Sequence, residues 1–522
     1  MSKADWRSVV LTAVLLALSF PPFPGGFLVP FTLAFFMHTI LHRPDSRTFL
    51  MGYLKGVIWG ALTLFWIGNN TIPGAVITIL INALHYGFIW WILRRIYNYF
   101  PRLALLAFPI LWVAVEQLRH FSDIRFNWLN LAYTQTYYLP LIQFIEWTGY
   151  LGLSFLLMVL SVWLYLVIYQ QKRHPAFVAM GLVLILLPWG YGQWRLNQLE
   201  SKTYPALKVG VVQPNVDPYR KWDAVFQDSA FAMLREMTLE MQEDRPQLVI
   251  WPETATPFFL RYEEGYLNQV YALVDTMNSY LITGTPDYRF IPSSRAYRTY
   301  NAAFFFAPGL RILEHYYKMA LVPAAESMPF KQYLPFLRKI DVGGGDYFPG
   351  MEFKVFWMQP KVRQGMYIQH RFQLTGDTTS VPTRVGVSAV ICYESIFPHL
   401  VRQFVQNGAR MLTIITNDGW FGTTSGPYQH AQYAIFRAVE NRVSIARSAN
   451  TGISRLIEPT GRVQTELGLN RKGVLLGYLP IQNTPTFYTR YGDWFGYLNL
   501  VLALLILSGG HVARMVVEKR RG

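Results

Sequence analysis

Apolar residues fall in two patterns along this chain, and one gives way to the other near Ser201. Before that point, long apolar runs alternate with short polar breaks. Seven such runs, at roughly 8–22, 24–41, 50–70, 73–95, 103–119, 145–169 and 176–193, read as membrane-spanning helices, and an eighth covers 492–516. A helix needs about 20 apolar residues to cross a bilayer, and several runs reach that length. The first is short and is cut from the second by Pro21, Pro22, Pro24, Gly25 and Gly26. No small-residue cleavage pattern ends it and further runs follow, so it reads as a span rather than a leader.

After Ser201 the runs shorten to strand length. LKVGVVQPN (207–215) and QLVIWPET (247–254) read as buried strands. Between them, residues 223–242 place Phe226, Ala230, Met233, Leu234, Met237 and Met241 on one helical face. Strand, helix, strand in that order predicts a parallel pair with a right-handed crossover. Further strands are expected at 280–287, 300–308, 311–318, 385–393 and 411–418, with helices at about 397–407 and 427–447. EPTGR (458–462) predicts a hairpin turn. Residues 338–382, which include Gly343, Gly344 and Gly345, follow no period and read as a long excursion. These elements predict an α/β domain with a mixed sheet.

Composition supports the division. The chain of 522 residues is 52% hydrophobic and only 15% charged, where a soluble domain carries about 25% charged residues. The net charge of +16 suits anionic headgroups better than nucleic acid in so apolar a chain. Lys3 and Arg7 precede the first run; Arg43 and Arg47 follow the second, Arg94, Arg95 and Arg102 the fourth, Lys172 and Arg173 the sixth, and Arg514, Lys519, Arg520 and Arg521 the last. Linkers after the first and third runs hold no Lys or Arg. Positive charge marks the cytoplasmic side, so both termini are expected inside and the domain between the seventh and eighth spans outside. Arg119 and Arg125 break the rule; they lie in the long aromatic linker near 120–143, which reads as an arm at the outer interface. The expected organisation is 1–198 for seven transmembrane helices with that arm, 201–488 for the α/β domain, and 490–522 for the eighth helix and a basic cytoplasmic tail.

Three strand ends carry reactive side chains. Glu253 closes QLVIWPET, Lys318 closes RILEHYYK, and Cys392, the single cysteine, closes VGVSAVICY. Sites in α/β sheets form beyond the carboxyl ends of strands. A thiol must become a thiolate to attack; a carboxylate can take its proton, and an ammonium can steady the thiolate or an oxyanion. A lone buried cysteine also packs as a small hydrophobe, and Glu253 with Lys318 could be a structural ion pair. A single cysteine excludes an internal disulfide and any multi-cysteine metal site, and no metal or nucleotide motif is present.

The words around these residues add specificity. WPET, KxxLVPxxE (Lys318 to Glu326), ICYE (391–394) and NDGWFG (417–422) occur in this order, followed by the block 420–454. The chain thereby resembles the nitrilase superfamily and, with its spans, that superfamily's membrane-embedded apolipoprotein N-acyltransferase family. The resemblance covers nearly the whole chain. It implies a four-layer α-β-β-α sandwich held outside the cytoplasmic membrane by about eight transmembrane helices. It implies Glu253 as general base, Cys392 as nucleophile and Lys318 as oxyanion stabiliser. Glu326 falls where the family has a second functional Glu, and Tyr393 and Glu394 match the residues after the nucleophile. Trp222 and Trp420 match aromatics near the site, and Asn417 would shape the pocket. Ala324 and Ala325 depart from the family's usual Phe-Gly before this Glu. His430 has no implied role and reads as structural.

The implied reaction moves an acyl chain from a membrane phospholipid, with phosphatidylethanolamine as donor, to the N-terminal amine of a diacylglyceryl-cysteine apolipoprotein. A Cys392 thioester links the two stages. No cofactor, metal or nucleic-acid partner is expected; the partners are the donor lipid, the acceptor and the bilayer. The segments 342–350 and 419–426 are candidate lids. A membrane-tethered amidase or nitrilase acting on a small amide would carry the same three residues, and a ligand-binding transporter or receptor would need none of them.

Overall fold

The computed structural model describes residues 1–121, 123–292, 295–331, 333–334, 336, 346–482 and 484–521. The chain divides into two compact units, Met1–Gln193 with Tyr491–Gly522, and Trp194–Arg490.

In the first unit, five helices are long and apolar enough to cross a membrane: Asp45–Asn69, Ile72–Tyr99, Pro101–Leu118, Tyr150–Ile168 and Pro175–Glu200. The protein is therefore a multi-pass membrane protein. Three of the eight expected spans are shorter as apolar helices. Lys3–Ala17 has 15 residues and Leu28–Leu41 has 14, against the ~20 that a crossing takes, and the last helix is apolar over Trp494–Gly509. The sequence runs are longer because apolar residues continue into the Pro/Gly turn between the first two helices. The linker near 120–143 has its middle, residues 127–136, buried within the unit.

Close helix packing rests on small residues, as is usual between spans. A Cβ on Gly56 would lie 3.0 Å from the Ala83 Cα, and one on Gly52 2.8 Å from the Tyr86 carbonyl oxygen. Buried polar groups are more numerous than the apolar runs suggest. Glu116 accepts the Leu131 N–H at 2.9 Å and the Trp112 indole N–H at 3.1 Å. Arg119 donates to the Tyr86 hydroxyl at 3.0 Å. The Lys55 ammonium lies over the Phe36 and Trp90 rings, 4.3 and 4.6 Å from their centroids.

The second unit holds fourteen strands among the described residues: β1 (Thr203–Gln213), β2 (Leu248–Ile250), β3 (Tyr280–Ile291), β4 (Ala296–Phe306), β5 (Glu314–Tyr317), β6 (Phe356–Met358), β7 (Lys361–Ile368), β8 (Arg371–Pro382), β9 (Val385–Ile391), β10 (Met411–Thr416), β11 (Ser444–Ala449), β12 (Ser454–Ile457), β13 (Val463–Leu467) and β14 (Gly473–Pro480). They form two mixed sheets. One runs β5-β4-β3-β2-β1-β7-β8 with β14 also on β1; the other runs β13-β12-β11-β10-β9-β6. β1, β2 and β3 are parallel, as are β9, β10 and β11. The sheets meet through buried polar groups: Ser448 Oγ donates to the Val212 carbonyl at 3.0 Å, and Ser454 Oγ to Gln213 Oε1 at 2.5 Å. Phe231, Leu234 and Met237 of the helix Ala224–Leu239, with Met241 just after it, form a core with Val212, Val249 and Phe304 of the first sheet and Trp251 beyond β2. This α/β domain with mixed sheets is consistent with a nitrilase-like fold.

Two elements differ from the sequence reading. The helix expected over 427–447 is Ser425–Asn441. It stops where Arg442 turns left-handed at φ 49°, and residues 444–449 continue as β11, fully buried between β10 and β12. Helical periodicity carried through the boundary because a strand buried on both faces has no alternation to mark it. The irregular stretch 338–382 contains β6, β7 and β8, whereas Gly343, Gly344 and Gly345 lie outside the described residues. The β7–β8 hairpin turns on Gln369 and His370, both at positive φ, without the Asn-Gly or Asp-Gly pair that signals such a turn.

Candidate active site

Glu253, Lys318 and Cys392 each leave the carboxyl end of a strand, but none is the strand's last residue. Glu253 lies three residues beyond β2, Lys318 one beyond β5, and Cys392 one beyond β9, at the start of a 3-10 turn over Cys392–Ile396. All three are buried.

The Glu253 carboxylate is held on both oxygens. Oε1 accepts from the Asn301 side-chain amide at 2.8 Å and from the Lys318 ammonium at 3.2 Å, and Oε2 accepts the Asn417 N–H at 3.0 Å. The backbone behind it packs against Gly284, where a Cβ would sit 2.6 Å from the Glu253 Cα and the Thr254 nitrogen. Only glycine allows that approach. Burial opposes the charge on Glu253, but Lys318, the Asn301 amide and Lys221 outweigh it and hold the carboxyl below its ordinary range. Burial likewise opposes the Lys318 charge, and Glu253 and Glu326 overcome it, so Lys318 remains an ammonium.

Glu326 joins the group: its Oε1 accepts from Lys318 at 2.8 Å and from Asn301 at 3.0 Å, and its Oε2 accepts the Val322 N–H at 2.8 Å. The turn that presents it places Ala324 at φ 57°, left-handed backbone that favours glycine. Asn301, on β4, was not singled out from the sequence. Its signal is a lone amide inside the apolar strand YNAAFFF.

Cys392 has φ 50°, so its backbone is itself left-handed. Burial pushes its thiol up, Glu253 and Asp418 push the same way, and Lys318 and the Thr416 hydroxyl oppose them. Sulfur is therefore protonated at rest. Glu394 fixes the turn. Its Oε2 accepts the Ile391 N–H at 2.7 Å, and its Oε1 accepts the Tyr316 hydroxyl and the Met319 N–H, both at 2.6 Å. One carboxylate thus ties the turn after β9 to the segment after β5. Burial is the leading cause that raises the Glu394 carboxyl.

The remaining expected residues take varied places. Asn417 gives Glu253 its backbone N–H, and its side-chain oxygen accepts from Asn450 at 3.1 Å. Tyr393 is buried edge-on to Phe397, with ring centroids 5.0 Å apart. Trp420 is half-buried, edge-on to the exposed Tyr219 at 5.1 Å. Trp222 is exposed, with the Lys221 ammonium 5.4 Å from its ring centroid. Lys221 was also missed. It is buried, donates to the Thr254 carbonyl at 3.2 Å, and is pushed down to about 8 by burial, against the pull of Glu253.

Paired mixed sheets with a buried Glu, Lys and Cys beyond their strand ends define a thiol enzyme of the nitrilase superfamily. Accordingly, the carbon–nitrogen hydrolase family matches residues 208–486, and the apolipoprotein N-acyltransferase N-terminal domain matches residues 12–163. Proteins named apolipoprotein N-acyltransferase are similar over almost the full length. The one from Geobacter metallireducens is 34% identical over 97% of this chain and 95% of its own. That from Chlorobaculum tepidum is 30% identical over 95% and 94%, and that from Pseudomonas syringae pv. tomato 29% over 98% and 97%. The chain belongs to the apolipoprotein N-acyltransferase family and is an enzyme of acyltransferase type.

Proposed function

We propose that this protein transfers an acyl chain from a membrane phospholipid to the N-terminal amine of a diacylglyceryl-cysteine apolipoprotein. The observation that carries this reading is the shared network of Glu253, Lys318, Asn301 and Glu326 behind the Cys392 turn, in a chain with membrane-spanning helices. Cys392 Sγ attacks the ester carbonyl carbon while its proton passes to Glu253. The raised thiol and lowered carboxyl make that transfer unfavourable at rest, so it accompanies attack rather than preceding it. Lys318 stabilises the oxyanion. The ester C–O bond breaks, Glu253 returns the proton to the leaving lysophospholipid, and the acyl group stays on sulfur as a thioester. The acceptor's α-amine then attacks, gives its proton to Glu253, and leaves as an amide while the thiol is restored. Two half-reactions through one covalent intermediate give ping-pong kinetics.

The donor in this reading is phosphatidylethanolamine, through its sn-1 chain. In this reading the five long helices and three shorter ones make eight crossings, with the catalytic domain, a four-layer sandwich over 201–488, outside the cytoplasmic membrane and both termini inside. Anchored substrates suit such a site, because taking an acyl chain into water costs ~0.8 kcal/mol per CH₂. Trp222 and Trp420 contact the lipid chains, Glu326 supports Lys318, and Asn417, Tyr393 and Glu394 shape the nucleophile's surroundings.

Intact-protein mass spectrometry after incubation with phosphatidylethanolamine alone tests the proposal. An acyl-sized mass increase, absent in Cys392→Ala and discharged by a diacylglyceryl-cysteine peptide, is expected. Overall transfer without an adduct, or an adduct that persists in Cys392→Ala, overturns it.

A further inference from the structure

Behind the nucleophile lies a second buried network that the acyl-transfer steps do not use. Asp418, His430 and Arg447 are each no more than 1% exposed. Asp418 Oδ2 accepts from Arg447 Nη2 at 2.7 Å. Its Oδ1 meets His430 Nδ1 at 2.8 Å and accepts the Thr416 hydroxyl at 2.8 Å. The other face of His430 reaches the nucleophile: Nε2 lies 2.8 Å from Ser395 Oγ and 3.2 Å from the Cys392 carbonyl oxygen. Ser395 Oγ in turn donates to the Cys392 carbonyl at 2.7 Å.

The tautomer follows from these partners. A carboxylate oxygen can only accept, so the 2.8 Å contact to Asp418 requires a proton on His430 Nδ1. Ser395 has one hydroxyl proton and gives it to the Cys392 carbonyl. Nε2 lies within hydrogen-bond distance of both oxygens. Arg447 holds the other carboxylate oxygen and keeps Asp418 ionised: burial opposes the charge, but Arg447 and His430 outweigh it and hold the carboxyl far below its ordinary range.

We propose that Asp418, anchored by Arg447, orients His430 as a positioning residue that fixes Cys392 from its carbonyl side. The need for it is in the backbone. At φ 50° Cys392 sits where an L-residue is strained. Glu394 secures the residue before it by accepting the Ile391 N–H. Nothing in the Glu253–Lys318 group binds its carbonyl. His430 meets both that carbonyl and Ser395, which also holds it, so with His430 gone the carbonyl keeps a Ser395 that has lost its own partner, and the peptide after Cys392 can relax and swing Sγ away from the line of attack. The inference builds on Cys392 as nucleophile and on no particular acyl donor.

The test compares two substitutions that each keep half of the imidazole. His430→Asn keeps a donor toward Asp418 and loses the reach to Cys392; His430→Gln extends an amide toward Cys392. Measurements are kcat and KM for acyl transfer, the rate of Cys392 alkylation by iodoacetamide read by intact mass, and the thermal midpoint, all on the full-length protein in detergent or lipid. His430→Asn is expected to lower kcat about 10²-fold, the loss that a misplacement near 1 Å causes, with KM within about twofold. His430→Gln is expected to recover at least a tenth of native kcat. Alkylation rates should follow the same order while the two midpoints stay within a few degrees of each other. Native kcat and alkylation in His430→Asn overturn the proposal. So do equal losses in both variants that track a lower midpoint, since these mark a purely structural histidine. If the native chain shows no acyl transfer, the proposed reaction fails, but the alkylation order still decides the positioning role.

Discussion

Asn301 donates its side-chain amide to Glu253 at 2.8 Å, and the same nitrogen lies 3.0 Å from Glu326. One neutral group from β4 thus stands between two carboxylates that share one ammonium. The arrangement keeps two negative charges beside Lys318 without placing them in direct contact. Asn301→Ala leaves the pair separated by Lys318 alone. A lost hydrogen bond to a charged group is worth about 1.5–3 kcal/mol, so kcat should fall about 10–10²-fold. Steady-state kinetics and the acylation rate by intact mass check this; a loss under twofold counts against a role for the amide.

Lys318 sets the protonation of Glu253. Its removal in Lys318→Met takes away the strongest group opposing burial, and the Glu253 carboxyl should rise above its ordinary range. In the native protein the carboxyl is depressed. It therefore contributes stability that is complete above the unfolded-state value of about 4.3 and is lost as pH falls through the folded-state value. Lys318→Met should remove that acid-side contribution and lower stability at neutral pH by about 3–5 kcal/mol, as breaking a buried pair does. Denaturant titrations between pH 3 and 8 read both effects.

Glu394→Ala should act chiefly on the fold of the turn. It strands the buried Ile391 N–H and Tyr316 hydroxyl and the half-buried Met319 N–H, all partners of one carboxylate. Each buried donor left unsatisfied costs about 1–3 kcal/mol. A lower thermal midpoint and faster hydrogen exchange at Ile391 and Met319 are expected together. Exchange unchanged at both amides contradicts the assignment.

Gly284→Ala should inactivate from outside the charged group. The added methyl meets the backbone of Pro252, Glu253 and Thr254 at 2.6 Å, closer than real Cβ contacts come. Overpacking of this kind costs about 1–3 kcal/mol, and the relief available is displacement of the Glu253 loop. A large fall in kcat with a smaller change in melting is expected; native kinetics would mean the loop yields without moving the carboxylate.

The three reactive residues were legible because each ends an apolar run, and strand ends are where α/β sites form. Their motif words supplied the family, and the relatives that match over nearly the whole chain agree with it. Asn301 and Lys221 were not legible. An amide or lysine has a role only through what it faces, and Asn301 faces Glu326 from 25 positions away and Glu253 from 48. His430 read as structural because its partners, Cys392 and Arg447, lie 38 positions before it and 17 after. β11 was hidden inside an apparent helix, because burial on both faces erased its period. Tyr393 follows the nucleophile in sequence, yet its ring packs edge-on to Phe397, since the 3-10 turn at Cys392 redirects each successive side chain.

By itself, the sequence determined a multi-pass membrane chain with an α/β domain, the order of most strands, and the candidate set of cysteine, carboxylate and ammonium. These follow from local quantities: apolar run length, period, and residue type at strand ends. Tertiary structure decided which charges meet. Glu253 is joined to Asn301, Lys318 and Asn417, and Cys392 to His430. Buried electrostatics depend on distances between segments far apart in the chain, and folding alone sets those distances.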